Sequence, residues 1–534
     1  MPLLPALGLS VFIGLLILEN YGYGYWMISR PIFAGPLVGL IMGDLPTGLL
    51  VGGTVELMYM GVLPIGGSVP PNAQIAGIIS TVFAITSGGN PEVGIALALP
   101  IGVLAQLLIM LAWNVNIVLV HAADKHVLSG NYKAVERIHL CGLLVFFAIF
   151  FVASFLAIYL GSDFVSNLVA SMPAVLTDGL KVASGILPAV GMAMLLKMMD
   201  FKRFWPFFAI GFVAAVYMGL SVLAISIVTV AVVCAIQTMS RPASDGFDDE
   251  DGFDDEPETE SASDASSERL LTKTELVKTF VRSLFFMTSI NYERYESLGF
   301  CYAMIPALRK LYPNQDDFRD AMQRANEFFN CHPYTGNAVL GVTLALEEQK
   351  ALGKPITAEA ISSTKTALMG PLSSIGDSVF KATFMTIFAA IGASLALEGN
   401  PAGPIIFIVP NVALNLASRW LFVKYGYEWG TRLVAKMQGS DLICRFVEGA
   451  TIVGMMVVGA MIVSFVKLSI VPTWNIGGAE FSLQTVLDSL VPSALPLLLV
   501  MGFYGILRKS EKGMYVCILL SFVIGIAGKA AGLF

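Results

Sequence analysis

The chain has 534 residues, 56% of them hydrophobic and 13% charged, with 32 Lys and Arg against 39 Asp and Glu. That apolar excess excludes a soluble globular domain of this length and places the chain in a bilayer. The basic residues are dispersed rather than clustered with aromatics, which excludes a nucleic-acid surface, and the scattered cysteines lack C-x-x-C spacing, so neither a disulfide framework, a metal site nor a cofactor is expected.

The fold class expected is an all-α polytopic membrane protein. Apolar stretches of roughly the 17 to 25 residues that cross a bilayer recur along the chain, most clearly at 92–115, 141–161, 206–238, 403–424, 449–468, 489–507 and 514–532. The start, Met1 to Leu18, lacks a basic n-region and an A-x-A site, and reads as a retained segment rather than a signal peptide.

Glu56 then stands in GLLVGGTVELMYMGVLPIGG, otherwise apolar and rich in glycine. A carboxylate at membrane depth must be paired, hydrated or bound to something, and the glycines suggest a re-entrant hairpin. Glu56 is therefore either a substrate acceptor or a structural carboxylate held by backbone amides. Asp44, in IMGDLPTG, is expected to cap a turn. Asn72 and Gln74 follow Pro70-Pro71 just before a helix; their amides both donate and accept, which suits sugar hydroxyls, and Asn72 also fits a helix N-cap. His121, His126 and His139 lie in or beside a charged loop and are expected to be solvated.

Residues 240–268 contain the near repeat GFDDEDGFDDE, and from Asp245 onward hold twelve acids and no Lys or Arg. This is an expected disordered linker between two membrane modules, 1–239 and 269–534. The second opens with 269–365, where TKTELVKTFVRSLFFM and QDDFRDAMQRANEFF space apolar residues for helices that lie at the membrane surface or pack on the other half. The Lys and Arg here put the segment, and with it the linker, in the cytoplasm; the spanning part is expected at 366–534. His332, in FFNCHPYTGNAVLG, and Asn337 are candidate substrate contacts. Asp377, in GPLSSIGDSVFK, sits with Ser378 in a glycine-broken tip, with Lys381 at ion-pair spacing: either a structural pair or a half-helix end aimed at a midplane site.

The two halves echo one another. Each has a glycine-broken tip, an apolar helix, a Gly-Asn-Pro turn (Gly89-Asn90-Pro91; Gly399-Asn400-Pro401) and a helix containing proline. Two related modules with re-entrant hairpins are expected. They are inverted if each half ends in one crossing helix, or parallel if 206–238 folds as a helical hairpin.

RPIFAGPLVGLIMGDLPTGLLVGGTVELMYMGVLPIGGSVPPNAQIAGIISTVFAI with HAADKH resembles the enzyme IIC subunit of mannose-type (mannose, fructose, sorbose) phosphotransferase systems. INYERYESLGFCYAMIPALRKLYP, EFFNCHPYTGNAVLGVTLALEE and ALMGPLSSIGDSVF resemble enzyme IID. The resemblance implies a sugar permease that is not an enzyme by itself and is a homotrimer in a bacterial inner membrane. It further implies that a separate cytoplasmic IIA/IIB phosphocarrier phosphorylates the sugar, and that Glu56, Asn72, Asp377 and Ser378 line the sugar site. Asn72 stands where mannose-type members often carry Asp, and Thr335-Gly336-Asn337 replaces smaller apolar residues. These departures point away from mannose itself and leave an amino sugar, an N-acetylated hexosamine, fructose and sorbose open. An ion-coupled secondary transporter of a small polar solute is the alternative from another class.

Overall fold

A computed structural model describes residues 2–59, 69–161, 188–198, 201–220, 269–436, 440–471, 473–476, 479–510 and 513–534, with positions 179, 182, 186, 224–225, 228–229 and 231–233. The expected linker, 240–268, lies outside the described residues. The first half contains α1 (Leu3–Tyr21), α2 (Pro31–Met42), α3 (Leu45–Tyr59), α4 (Ala73–Thr86), α5 (Pro91–Leu128), α6 (Tyr132–Leu160), α7 (Pro188–Met198) and α8 (Phe201–Tyr217). The second has α9 (Lys273–Ser283), α10 (Ser297–Leu311), α11 (Gln315–Ala325), α12 (Gly336–Ala351), α13 (Ala358–Gly376), a π-helical stretch (Asp377–Met385) and α14 (Thr386–Leu397). After these come α15 (Ala402–Lys436), α16 (Ser440–Phe465), a hairpin of β1 (Thr473–Ile476) and β2 (Ala479–Ser482), α17 (Leu483–Leu490), α18 (Ala494–Lys509) and α19 (Gly513–Ala530).

Among the described residues the regular elements are thus helices apart from one short antiparallel hairpin that periodicity did not signal. Among the described residues, Leu3–Tyr21, Pro100–Leu128, Tyr132–Leu160 and Ala402–Gly430 are long and apolar enough to cross a membrane, and α17 with α18 forms a pair bent by 78°. The expected span at 489–507 therefore falls on a broken element. In the stretch expected at 206–238, α8 ends at Tyr217, and the described positions 224–225, 228–229 and 231–233 are helical again.

Two local features explain the shorter helices. With 12 and 15 residues, α2 and α3 are only about 18 and 22 Å long, too short to span about 30 Å of hydrocarbon. They turn at Gly43, whose φ of +84° favours glycine, and Asp44 Oδ1 accepts from the Thr47 amide at 3.1 Å, so Asp44 caps the turn. The pair packs at backbone distance: a β-carbon on Gly35 would sit 2.8 Å from Gly52 Cα. Both Gly-Asn-Pro motifs close helical hairpins, α4 onto α5 and α14 onto α15, with Gly89 and Gly399 at φ of +77° and +76°.

The amphipathic segments behave as their spacing requires. α9 starts with a Thr272–Glu275 capping box and buries Leu276, Thr279 and Ser283. α11 is capped by Asn314 and buries Phe318, Ala321, Met322 and Ala325. It packs on the first half, where Phe318 meets Tyr132 edge-on at 6.2 Å.

Many polar contacts tie the halves together. Asn116 Nδ2 donates to Ile290 O at 2.9 Å, Arg282 Nη1 to Glu136 at 2.6 Å, Arg294 Nη1 to Asp124 at 3.0 Å, and Asn415 Nδ2 to Gly24 O at 2.7 Å. His139 belongs to this set, contrary to the solvated role expected for it. It is fully buried, with Nδ1 2.8 Å from Ser289 Oγ and Nε2 3.0 Å from Phe285 O. Its place near the start of a long helix looked like a loop flank, but the partner elements come from residues 150 positions away.

Candidate functional site

A cavity lies between the halves and takes its walls from both. On the first side α1 ends in Asn20 and Tyr21, and the loop that follows is held in an unusual shape. Gly24, Tyr25 and Met27 have φ of +89°, +61° and +67°, and the buried Glu19 carboxylate accepts from the Met27 and Ser29 amides at 3.0 and 2.9 Å. For Tyr and Met such backbone is strained, and the carboxylate offsets it. This loop delivers Tyr25, Met27 and Arg30 to the cavity, and residues 69–74 deliver Asn72 and Gln74. On the second side stand Tyr295 and Glu296, the loop Asn330 to Pro333, and Ser373, Asp377 and Lys381.

Four of the residues singled out from sequence line the cavity: Asn72, Gln74, His332 and Asp377. Asn72 is also an N-cap, its Oδ1 accepting from Ile75 N at 2.8 Å while Nδ2 donates to Gln74 Oε1 at 2.8 Å. His332 Nδ1 accepts from the Tyr334 amide at 3.2 Å, so its proton sits on Nε2. That nitrogen is buried without a hydrogen-bond partner, a donor directed at nothing in the protein. The ring stacks on Phe380 at 5.7 Å. Asp377 pairs with Lys381 at 3.0 Å, so the pair anticipated from spacing and the position on the wall hold together. The side chain of Ser378 lies outside the described residues.

The other two stand off the wall. Glu56 is fully buried, held by Arg30 through Nε at 3.1 Å and through Nη2, and accepts from Ile32 N at 3.4 Å. It is Arg30 that reaches the cavity, because the carboxylate is spent on the guanidinium. Asn337 Nδ2 donates to Pro333 O at 2.8 Å and Tyr334 O at 3.2 Å; it fixes the His332 loop from behind.

Against this geometry, two family models divide the chain. The sorbose-specific IIC component of the phosphotransferase system matches residues 3–235, and the IID component of the mannose/fructose/sorbose family matches 270–534. The mannose-specific EIID component of Escherichia coli K12 is 40% identical over 275 residues, covering 50% of this chain and 96% of that protein. The chain belongs to the mannose/fructose/sorbose phosphotransferase family. Its IID half is also similar to the fructose permease IID component of Bacillus subtilis 168, 40% identical over 271 residues with 50% of this chain and 98% of that protein covered. Its IIC half is similar to the mannose-specific EIIC component of E. coli K12, 37% identical over 214 residues, covering 40% and 80%. The chain is the membrane permease part of a sugar phosphotransferase system, with IIC and IID portions in one polypeptide.

Two residues of this permease escaped sequence reasoning. Arg30 had a signal: it is the only Lys or Arg before Lys125, and a lone cation in so long an apolar stretch demands a carboxylate. Glu296 had none, since YERYES reads as a solvated charged turn. What brings it inside is Asn291, whose Oδ1 accepts from the Glu293 and Arg294 amides at 2.9 Å each and whose Nδ2 donates to Tyr295 O at 3.2 Å. Tyr295 is thereby set at φ +51°, and the Glu296 amide donates to Phe329 O at 2.8 Å.

Proposed function

We propose that this cavity is the sugar site, and that 1–239 and 269–534 act as IIC-like and IID-like domains joined by the acidic linker 240–268. The observation that carries the reading is the convergence, inside an apolar body, of Asn72 and Gln74 from one half with Asn330, His332 and the Asp377–Lys381 pair from the other. Neutral amides, a fixed donor and a paired acid match a ring of hydroxyls that both donate and accept. A site shared between two domains also lets relative motion of those domains carry the sugar across.

In this reading the phosphate travels on a separate cytoplasmic IIA/IIB protein, and none of the four histidines takes it. His139 is committed at both ring nitrogens, and His332 is buried with Nδ1 occupied. The protein sits in the bacterial cytoplasmic membrane as a homotrimer, its halves inverted repeats and the basic segment 269–365 facing the cytoplasm. Purified protein incubated with a complete labelled phosphorelay and sugar should stay unlabelled while IIB is labelled; a phospho-histidine on this chain would refute that division of labour. Asp377→Asn should weaken sugar binding by about one to two decades, the loss of a charged acceptor. Unchanged binding by a folded variant would move the site elsewhere.

A further inference from the structure

We infer that the cavity selects a hexose bearing a protonated amine, and that Glu296 is the residue that reads the ammonium. This rests on the cavity being the sugar site and names the class of sugar.

The first observation is an orphaned acceptor. Glu296 is 3% exposed and lines the cavity, yet its Oε2 has no hydrogen-bond partner. A buried carboxylate oxygen left bare is costly, and native sites keep one where a ligand supplies the partner. The second observation is the charge balance of the wall. Its acidic and basic residues are Arg30, Lys381, Asp377 and Glu296. Arg30 is held by Glu56 and Lys381 bonds Asp377 at 3.0 Å, which leaves one acid over. Lys381 and Arg419 act on Glu296 through space, Asp377 against it, and the Cys331 amide hydrogen-bonds to it. Arg419 stands behind the wall, donating to Asn415 Oδ1 and Ser283 O at 2.7 Å each. The third is that the Asn291-organised turn and the left-handed Tyr295 aim the side chain before any ligand arrives, as a selective site requires.

Burial outweighs those cations and the amide and pushes the Glu296 carboxyl up to about 8. Glu296 precedes α10, outside the spanning helices. Below that pH it holds a proton; a sugar ammonium entering as R–NH3+ displaces it, leaving the carboxylate paired with the ammonium and one proton released to water. A neutral hexose meets a protonated carboxyl and releases none. Two outcomes therefore separate the amino sugar from its parent: affinity and proton count.

The test is calorimetry of the full-length purified protein at pH 6.5 with glucosamine, galactosamine and mannosamine, each beside its neutral parent hexose, in two buffers of different ionisation enthalpy. At least one amino hexose should bind about tenfold to a hundredfold tighter than its parent, with close to one proton released. Glu296→Gln should abolish that preference and the proton release, so that amino and parent hexoses bind alike, and an unshifted thermal transition in detergent shows that the variant is folded. If that variant does not fold, the proton count on the unaltered protein decides. Parents binding as well as every amino hexose, or no proton released, would overturn the Glu296 inference while leaving the sugar site standing. No binding by any hexose would sink both.

Discussion

Replacing Glu56 by Gln tests whether its main role is to neutralise Arg30. Glu56 is fully buried and Arg30 is 4% exposed, so the guanidinium of the variant is left in the wall without a counter-charge. Removing one partner of a buried ion pair costs about 3 to 5 kcal/mol, whereas replacing both with apolar residues of similar volume is close to neutral. Glu56→Gln and Arg30→Met should therefore each lower the temperature of half-aggregation in detergent. The double variant Arg30→Met with Glu56→Met should be more stable than Arg30→Met or Glu56→Met alone, so the coupling in that double-mutant cycle should be at least as large as one single loss, about 3 kcal/mol or more. Additive losses, or a Glu56→Gln protein as stable as the original, would refute the pairing argument and return Glu56 to direct contact with sugar.

Three further outcomes are expected. Lys365 is 1% exposed and donates to the carbonyls of Arg324, Ala325 and Glu327 at 3.4, 3.1 and 3.0 Å, closing the end of α11. Lys365→Met should destabilise by about 1 to 3 kcal/mol, and limited proteolysis should find new cleavage near 325–330. A β-carbon at Gly142 would overlap the Thr288 carbonyl, so Gly142→Val should loosen the contact between the halves. Disulfide trapping between cysteines at Asn116 and Ile290, whose side chain and carbonyl are bonded at 2.9 Å, should slow in that background; an unchanged rate would argue against the contact. A cysteine at Ser263, in a background without other reactive thiols, should resist an impermeant reagent in intact cells if the linker is cytoplasmic. Ready labelling would reverse the orientation.

Local codes were readable in this sequence and long-range partners were not. The Asp44 turn, the Asn72 cap, the Asp377–Lys381 pair and the two Gly-Asn-Pro turns depend on residues within a few positions of one another, where spacing alone sets the geometry. The cap of α9 and the buried stripe of α11 belong to the same class. His139 and Glu56 were misjudged or left open because Phe285, Ser289 and Arg30 are distant in sequence and no period links them. Glu296 was invisible because a charged turn and a cavity wall have the same composition; only the Asn291 hydrogen bonds distinguish them. Spans were legible as apolar length, but length does not say whether a stretch runs straight, and the bend between α17 and α18 follows the irregular Val491 to Ser493, with Ser493 at φ +60°.

The π-helical stretch from Asp377 to Met385 has a consequence of its own for the permease. Its carbonyls reach five residues ahead rather than four, so the coil holds surplus chain that an α-helix of the same rise would not. Each residue of an α-helix turns the chain by about 100°. Absorbing or expelling one residue of slack would therefore swing α13 about its axis relative to α14, without unwinding either. Asp377 and Lys381 sit inside that slack, and Ser373 just before it. The cavity wall is thus mounted on a screw thread with play in it, and which side chains face the cavity would depend on where along the thread the play is taken up.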